Sequence, residues 1–361
     1  MKILLVIPSS RDLSEGAYYS GIDYHRMYIP HKALYSQWED IDFITTNDIT
    51  AVTQEVLNEM SIVVVNRSIS KCGTHLESLA MLNKSNAKLI VDMDDDYVLP
   101  HWHIYYESYK ASNQTKEIIE SIRRADHVTC THYRLANEIK EIADKPITII
   151  PNCILPSEEQ FEVTPELLTD RLTFGWSGSL THFEDVLEMY DSIVPLFKDP
   201  DYEHKFKVLY GGFETKDRIS HGIAGVLSGK GIATTEQFIH TPPVQSNKYA
   251  MYYNLINVCL IPLRPNRFNS NKSNLKMLES GFKKRCAIVS EIDPYISVIN
   301  KTPKNCLTVK NRHDWFKNMT KLIKNPNMRF DLAEQLYEDV QPYHANEISK
   351  IRYQLYKSLT N

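Results

Sequence analysis

Long apolar runs are missing. No stretch approaches the roughly 18 residues that cross a bilayer, and mean hydropathy is −0.36, so no integral membrane segment is expected. The opening MKILLVIPSS has one Lys followed by five apolar residues and then Pro8. That is too short for the apolar region of an export leader and fits a buried first strand, so a cytoplasmic location is expected. Paired cysteines are missing too. Cys72, Cys130, Cys153, Cys259, Cys286 and Cys306 form no Cys-x-x-Cys pair, which predicts reduced, buried thiols rather than a zinc site or disulfide framework. There is no internal repeat and no low-complexity tract. Charge of one sign does not dominate: 41 basic against 45 acidic residues leave −4, a field that does not favour polyanions except at a local patch.

What is present is a two-part grammar. A length of 361 residues exceeds one ordinary core and suits two domains. Short apolar runs alternate with longer polar-periodic stretches, the pattern of a parallel sheet covered by helices. The first-half runs are Lys2–Ile7, Ile41–Ile44, Ile62–Val65, Lys88–Val91, His127–Cys130 and Ile147–Ile150, with helices expected over Ser112–Ala125 and Tyr133–Ala143. The second-half runs are Leu172–Trp176, Phe206–Tyr210, Gln237–His240, Asn257–Ile261, Ala287–Val289 and Cys306–Val309. The expected fold is α/β, with doubly wound Rossmann-like domains over 1–152 and 171–335, a linker at 153–170 and a helical segment at 336–361, possibly crossing back to the first domain. Ligands in such sheets bind beyond the carboxyl ends of the strands, so two facing halves would enclose a central cleft.

Three segments stand out in order. ADHVTCTHYRLANEI (Ala125–Ile139) is followed by ITIIPNCI (Ile147–Ile154), which ends on a Pro-Asn pair. LTFGWSGSLTHFEDV (Leu172–Val186) places glycines directly after a strand. NKSNLKMLESGFKKRCAIVS (Asn271–Ser290) carries Glu279 and, eleven residues later, Ser290 at a strand end. Together they resemble the GT4-like (glycosyltransferase group 1) family of the GT-B fold. The resemblance implies transfer of a sugar, with retention of configuration, from a nucleotide-sugar to a hydroxyl acceptor. Glu279 matches the second Glu of that family's paired-Glu motif; the first falls on Asn271. The Gly and Pro that precede the family's last strand fall on Lys284 and Cys286, and its loop Arg and Lys on Ser179 and Glu184. The donor's diphosphate charge must therefore be met elsewhere.

The Ser270–Phe282 stretch carries chemistry for that task. Ser270 or Asn271 would cap a helix through Asn274–Phe282, aiming free N–H groups at an anion. Lys272 would add a charge at that end and Ser273 a hydroxyl, with Lys272, Lys276 and Glu279 on one helical face. Glu279 would accept the ribose hydroxyls, and Lys272 would stabilise the leaving diphosphate as a catalytic cation. Gly178 and Ser179 let a backbone approach the donor, His182 is expected to reach sugar or phosphate, and His240 and Thr241 the base. In DMDDDYVLP (Asp92–Pro100), Asp94 or Asp95 is expected against the acceptor hydroxyl or the sugar. Asp92-Met93-Asp94 also resembles the metal-binding Asp-x-Asp of the other main glycosyltransferase fold, but the surrounding pattern favours a metal-independent site with no cofactor. Arg26, after the first strand, is the expected acceptor contact.

A saccharide or other small hydroxyl acceptor is favoured. The alternative is a hydroxylated base in DNA, as for a viral enzyme, with Arg123-Arg124 and Lys283-Lys284-Arg285 on phosphates. A nucleotide-sugar epimerase and a non-catalytic nucleotide-sugar binder are further alternatives. Oligomeric state, sugar and base are left open.

Overall fold

The computed structural model of the chain describes residues 1–7, 20–70, 73–166 and 170–360; Cys72 lies outside them. The chain divides into two compact units. The first comprises Met1–Leu155, Ser270–Ser273 and Pro342–Asn361, and the second Pro156–Asn269 and Asn274–Gln341. The excursion of Ser270–Ser273 to the first unit has no counterpart in the sequence pattern.

The first unit is built on six parallel strands: β1 (Lys2–Val6), β2 (Asp42–Thr46), β3 (Ile62–Asn66), β4 (Lys88–Met93), β5 (His127–Cys130) and β6 (Ile147–Ile149), in the order β2-β1-β3-β4-β5-β6. Successive side chains alternate between two covered faces, which is why the central strands read as unbroken apolar runs. Leu4, Val6, Val63, Val65 and Val91 face one way and pack with Ile118, Ile122 and Leu135. Ile3, Leu5, Ile62, Val64 and Ile90 face the other way, toward Ile29, Leu34 and Tyr356. The helix Ala345–Thr360 lies against Ile29–Gln37, with Trp38 and Tyr353 stacked at 4.5 Å. The helix expected over Ser112–Ala125 runs over Gln114–Arg124, and a shorter helix, Tyr106–Ala111, precedes it. They break at Asn113, whose φ of 55° is left-handed, a conformation Asn tolerates.

The second unit repeats the plan with β7 (Leu172–Ser177), β8 (Phe206–Gly211), β9 (Phe238–Thr241), β10 (Val258–Ile261), β11 (Cys286–Ser290) and β12 (Leu307–Val309), in the order β12-β11-β10-β7-β8-β9. Phe174, Trp176, Phe206, Val208, Leu260 and Ile288 form its core with the helices Tyr190–Lys198 and His313–Lys324. The five described cysteines are buried and unbridged. Burial pushes the Cys153 thiol up to about 11 and the Cys259 thiol up to about 12, which leaves them unreactive.

A buried charge cluster sits inside the first unit: Asp92 pairs with Arg26, and the equally buried Arg352 has its Nη2 3.9 Å from Asp92 Oδ1. Arg26, in a π-helical turn at Tyr24–Tyr28, is 1% exposed and Asp92, on β4, 0%. The guanidinium donates through Nε and Nη2 to the two carboxylate oxygens at 2.8 and 2.6 Å. Nη1 donates to Ile150 O at 2.8 Å and Asn152 Oδ1 at 3.2 Å, and Thr129 Oγ1 donates to Asp92 at 2.5 Å. The expectation that Arg26 contacts the acceptor is therefore corrected: its donors are spent on buried partners. Removing one member of a buried, hydrogen-bonded pair leaves the other charged and desolvated. Arg26→Met should lower unfolding stability by about 3–5 kcal/mol, measured by urea denaturation at neutral pH.

Candidate functional site

Strand order in the second unit reverses between β7 and β10. In doubly wound sheets the crevice at such a switch point, beyond the carboxyl ends, receives the ligand. The predicted donor residues Gly178, Ser179, His182 and Glu279 gather near this end of the sheet, with others the sequence did not single out. β7 ends at Ser177, whose carbonyl accepts from Lys276 Nζ. The same ammonium donates to Tyr249 OH at 3.3 Å and lies 5.9 Å from the Trp176 ring and 5.8 Å from the Tyr249 ring. A Cβ on Gly178 would stand 2.7 Å from Trp176 Cζ2 and 3.2 Å from Lys276 Nζ, so only glycine fits this turn.

Glu279, one helical turn after Lys276 in the helix Leu275–Phe282, is 2% exposed and accepts from Tyr253 OH at 2.8 Å. Burial pushes its carboxyl above the ordinary value despite the nearby Lys276 charge. Burial likewise lowers the Lys276 ammonium, with Glu279 opposing. A desolvated polar pair of this kind responds strongly to any charge placed beside it.

His182 Nδ1 donates to Asp185 Oδ2 at 2.7 Å, which fixes the ring and its tautomer. Asp185 Oδ1 accepts from Arg264 N at 2.8 Å and Asn269 Nδ2 at 2.7 Å. Ser179 caps the short turn at Leu180–His182 by accepting from Thr181 N at 3.4 Å. His240 and Thr241 end the edge strand β9. His240 is exposed and lies on Phe213 at 4.4 Å, and Thr241 O accepts from Gly212 N and Phe213 N at 3.0 and 2.8 Å. Gly211-Gly212, directly after β8, went unremarked in the sequence although it has the same strand-then-glycine signature as Gly178. Gly212 has φ 97°, and a Cβ on Gly211 would meet Tyr252 Cγ at 2.9 Å.

Asn271, Lys272 and Ser273 belong to the first unit. The helix expected to start there begins at Leu275, and its N-cap, Asn274, makes no capping side-chain bond. Neither Ser270 nor Asn271 caps it, and Lys272 is outside the helical face that Lys276 and Glu279 share. Asn271 Nδ2 instead donates to Asp96 Oδ2 at 2.9 Å, Lys272 Nζ to Asp95 Oδ2 at 3.0 Å, and Asn152 Nδ2 to Ser273 Oγ at 2.7 Å. The Asp94 carboxylate is held by Arg67 Nε and Nη2 at 2.8 and 3.1 Å. Arg67, after β3, has a left-handed φ of 63°, and nothing in the local sequence signals it. Burial opposes the Asp94 charge, but Arg67 outweighs it and the carboxyl falls below its ordinary range. Asp95 keeps one buried oxygen, Oδ1, without a hydrogen-bond partner.

The basic cluster offered for DNA is also corrected. Lys283 and Arg285 are each 1% exposed. Lys283 Nζ donates to the carbonyls of Gln160 and Glu162, and burial brings its ammonium down to about 8. Arg285 donates to the carbonyls of Tyr253, Lys283 and Thr164, and Lys284 pairs with Glu334 at 2.8 Å. These cations bind the chain itself.

No protein-family model and no curated protein matches the sequence. Solved structures do. A sucrose-phosphate synthase from Thermosynechococcus elongatus aligns over 99% of this chain and 98% of its own at 12% identity, with a TM-score of 0.72. A glycosyltransferase from Rickettsia africae aligns over 99% and 98% at 13% identity, with a TM-score of 0.66. An α,α-trehalose-phosphate synthase (UDP-forming) from Burkholderia vietnamiensis aligns over 84% and 76% at 12%, with a TM-score of 0.59. At such identities the likeness is one of fold, and the fold of this chain is GT-B.

Proposed function

We propose that this chain is a glycosyltransferase that moves a sugar from a nucleotide-sugar to a hydroxyl acceptor, with retention of configuration and without a divalent metal. The observation that carries the reading is the buried Glu279–Tyr253 pair beside Lys276 and the Gly178 turn, at the strand switch of a GT-B nucleotide-binding unit. A carboxylate there accepts the two hydroxyls of a ribose, and Gly178 admits a phosphate to the backbone. His182, oriented by Asp185, presents its other ring edge to the sugar or phosphate, while His240 and Thr241 lie on the base side. UDP-sugars are the first donors to test, because one structural neighbour is described as UDP-forming.

On the acceptor side, Asp95 is assigned to the attacking hydroxyl, since its buried Oδ1 lacks a hydrogen bond and a hydroxyl would supply one. Asp94, already ionised against Arg67, is assigned a structural role. A saccharide or small hydroxyl acceptor is favoured over DNA because Lys283 and Arg285 are committed internally. Donor turnover with no acceptor product would mark an epimerase instead, and absence of even slow donor hydrolysis would mark a non-catalytic binder. The proposal is tested by incubating the chain with nucleotide-sugars and candidate saccharides and following nucleoside diphosphate release by mass spectrometry.

Glu279→Gln should weaken donor binding about tenfold or more in calorimetry, with circular dichroism unchanged, as expected for loss of a charged hydrogen bond. The two aspartates should separate by readout. Asp95→Asn should lower acceptor kcat/KM at least about tenfold and cost less stability than Asp94→Asn. Asp94→Asn should act on stability. A depressed folded pKa stabilises fully above the unfolded value and is lost as pH falls through the folded one. The urea midpoint of Asp94→Asn should therefore lie below wild type at neutral pH, and the gap should close as pH drops below 3.8, the ordinary carboxyl value.

A further inference from the structure

Lys276 is the cation that the strand-end geometry of the second unit singles out. Its hydrogen-bond and ring partners are neutral: a backbone carbonyl at Ser177, a phenol at Tyr249 and the ring faces of Trp176 and Tyr249. Among the described residues no carboxylate lies within ion-pair distance of it, in contrast to Lys284, which holds Glu334, and Arg329, which holds Glu166 at 2.7 Å. Glu279, the nearby acid, spends one oxygen on Tyr253. Glu279 favours the charge of this ammonium without touching it, so no ion pair occupies the ammonium and an external anion can contact it directly. Lys276 is half-buried, and its three N–H groups meet two protein acceptors, which leaves one for a ligand. Its stem rises from the first turn of the helix Leu275–Phe282. Its head reaches the turn at Gly178, where a Cβ would stand only 3.2 Å from Nζ. The absent side chain opens an approach to the ammonium at the position where a parallel strand ends.

Resting on the donor reading above, we propose that Lys276 binds the diphosphate of the donor and offsets the negative charge that grows on it as the sugar departs. The sugar–oxygen bond breaks with both electrons going to the diphosphate. The acceptor oxygen forms the new bond to the sugar carbon, and its proton passes to an oxygen of the departing diphosphate. Lys276 exchanges no proton in this step; it supplies a fixed positive charge in a partly desolvated site. Lys272, tied to Asp95 at 3.0 Å, does not carry this role.

The test compares nucleoside, nucleoside monophosphate and nucleoside diphosphate by calorimetry, using uridine, guanosine and adenosine series against wild type, Lys276→Met and Lys276→Arg. The expected result is that Lys276→Met leaves nucleoside affinity unchanged and loses about tenfold or more of the gain that the diphosphate adds over the nucleoside. Lys276→Arg should restore part of that gain. If near-ultraviolet circular dichroism shows Lys276→Met to be poorly packed, Lys276→Gln takes its place, and wild-type diphosphate affinity must fall with added salt while nucleoside affinity does not. A diphosphate gain that survives loss of the ammonium overturns this inference alone, because Glu279→Gln would still weaken every member of the series. A chain that binds no diphosphate in any series overturns the donor reading and the inference with it.

Discussion

The first unit depends on a buried charge cluster in which Asp92 pairs with Arg26 and lies 3.9 Å from Arg352. Arg26 and Asp92 have no water to solvate them, so each must be met by protein, and the ways in which they are met organise the strand ends around them. Arg26 ties the π-helical turn to β4 through Asp92 and to the end of β6 through Ile150 O. Asp92 ties β4 to β5 through Thr129. Asn152 takes a hydrogen bond from Arg26 and gives one to Ser273. That bond carries the network to the short returning segment whose Lys272 and Asn271 meet Asp95 and Asp96. The acidic run after β4 is thus held by cations and amides of its own unit, and Asp95 Oδ1 is its buried oxygen without a partner.

The second unit solves a different problem. Its polar cluster holds an acid and an ammonium on successive turns of one helix, each pulled toward its neutral form by burial. What stabilises their charges is first each other and then neighbouring dipoles: the Tyr253 hydroxyl for Glu279 and the Ser177 carbonyl and Tyr249 hydroxyl for Lys276. Glycines at the ends of β7 and β8 make the packing possible, since a Cβ at Gly178 or Gly211 would collide with Trp176 or Tyr252. A cluster with charge at its centre and no side chain at its rim suits an anionic, hydroxylated ligand better than an apolar one.

Much of the fold was legible because buried parallel strands announce themselves. Each of the twelve apolar runs became a strand, most with one or two residues added at the carboxyl end, where polar residues such as Asn66, Met93-adjacent Asp92 and Ser177 complete the ladder. The sites were less legible, because their partners are distant in sequence. Arg26 reads as a loop cation until Asp92, 66 residues on, is seen to hold it. Lys283-Lys284-Arg285 reads as a basic surface until the carbonyls of Gln160, Glu162 and Thr164 are counted. Ser270–Asn274 is rich in residues that serve equally as caps and turns, so local chemistry did not decide between a helix start at Asn271 and the observed one at Leu275. Glu279 and Gly178 stood out as candidates because each sits at a motif-like offset from a strand, and Gly211-Gly212 has the same strand-then-glycine pattern.

The central claim is that the second unit's strand-end cluster is a nucleotide-sugar site. The most direct measurement is a thermal-shift panel of nucleotide-sugars against the wild-type chain, each scanned over concentration. The account predicts that at least one raises the melting temperature in a saturable way, with about 2.7 kcal/mol of added stability at a hundred times its dissociation constant. A panel in which no nucleotide-sugar, nucleoside diphosphate or nucleoside shifts the transition would contradict it.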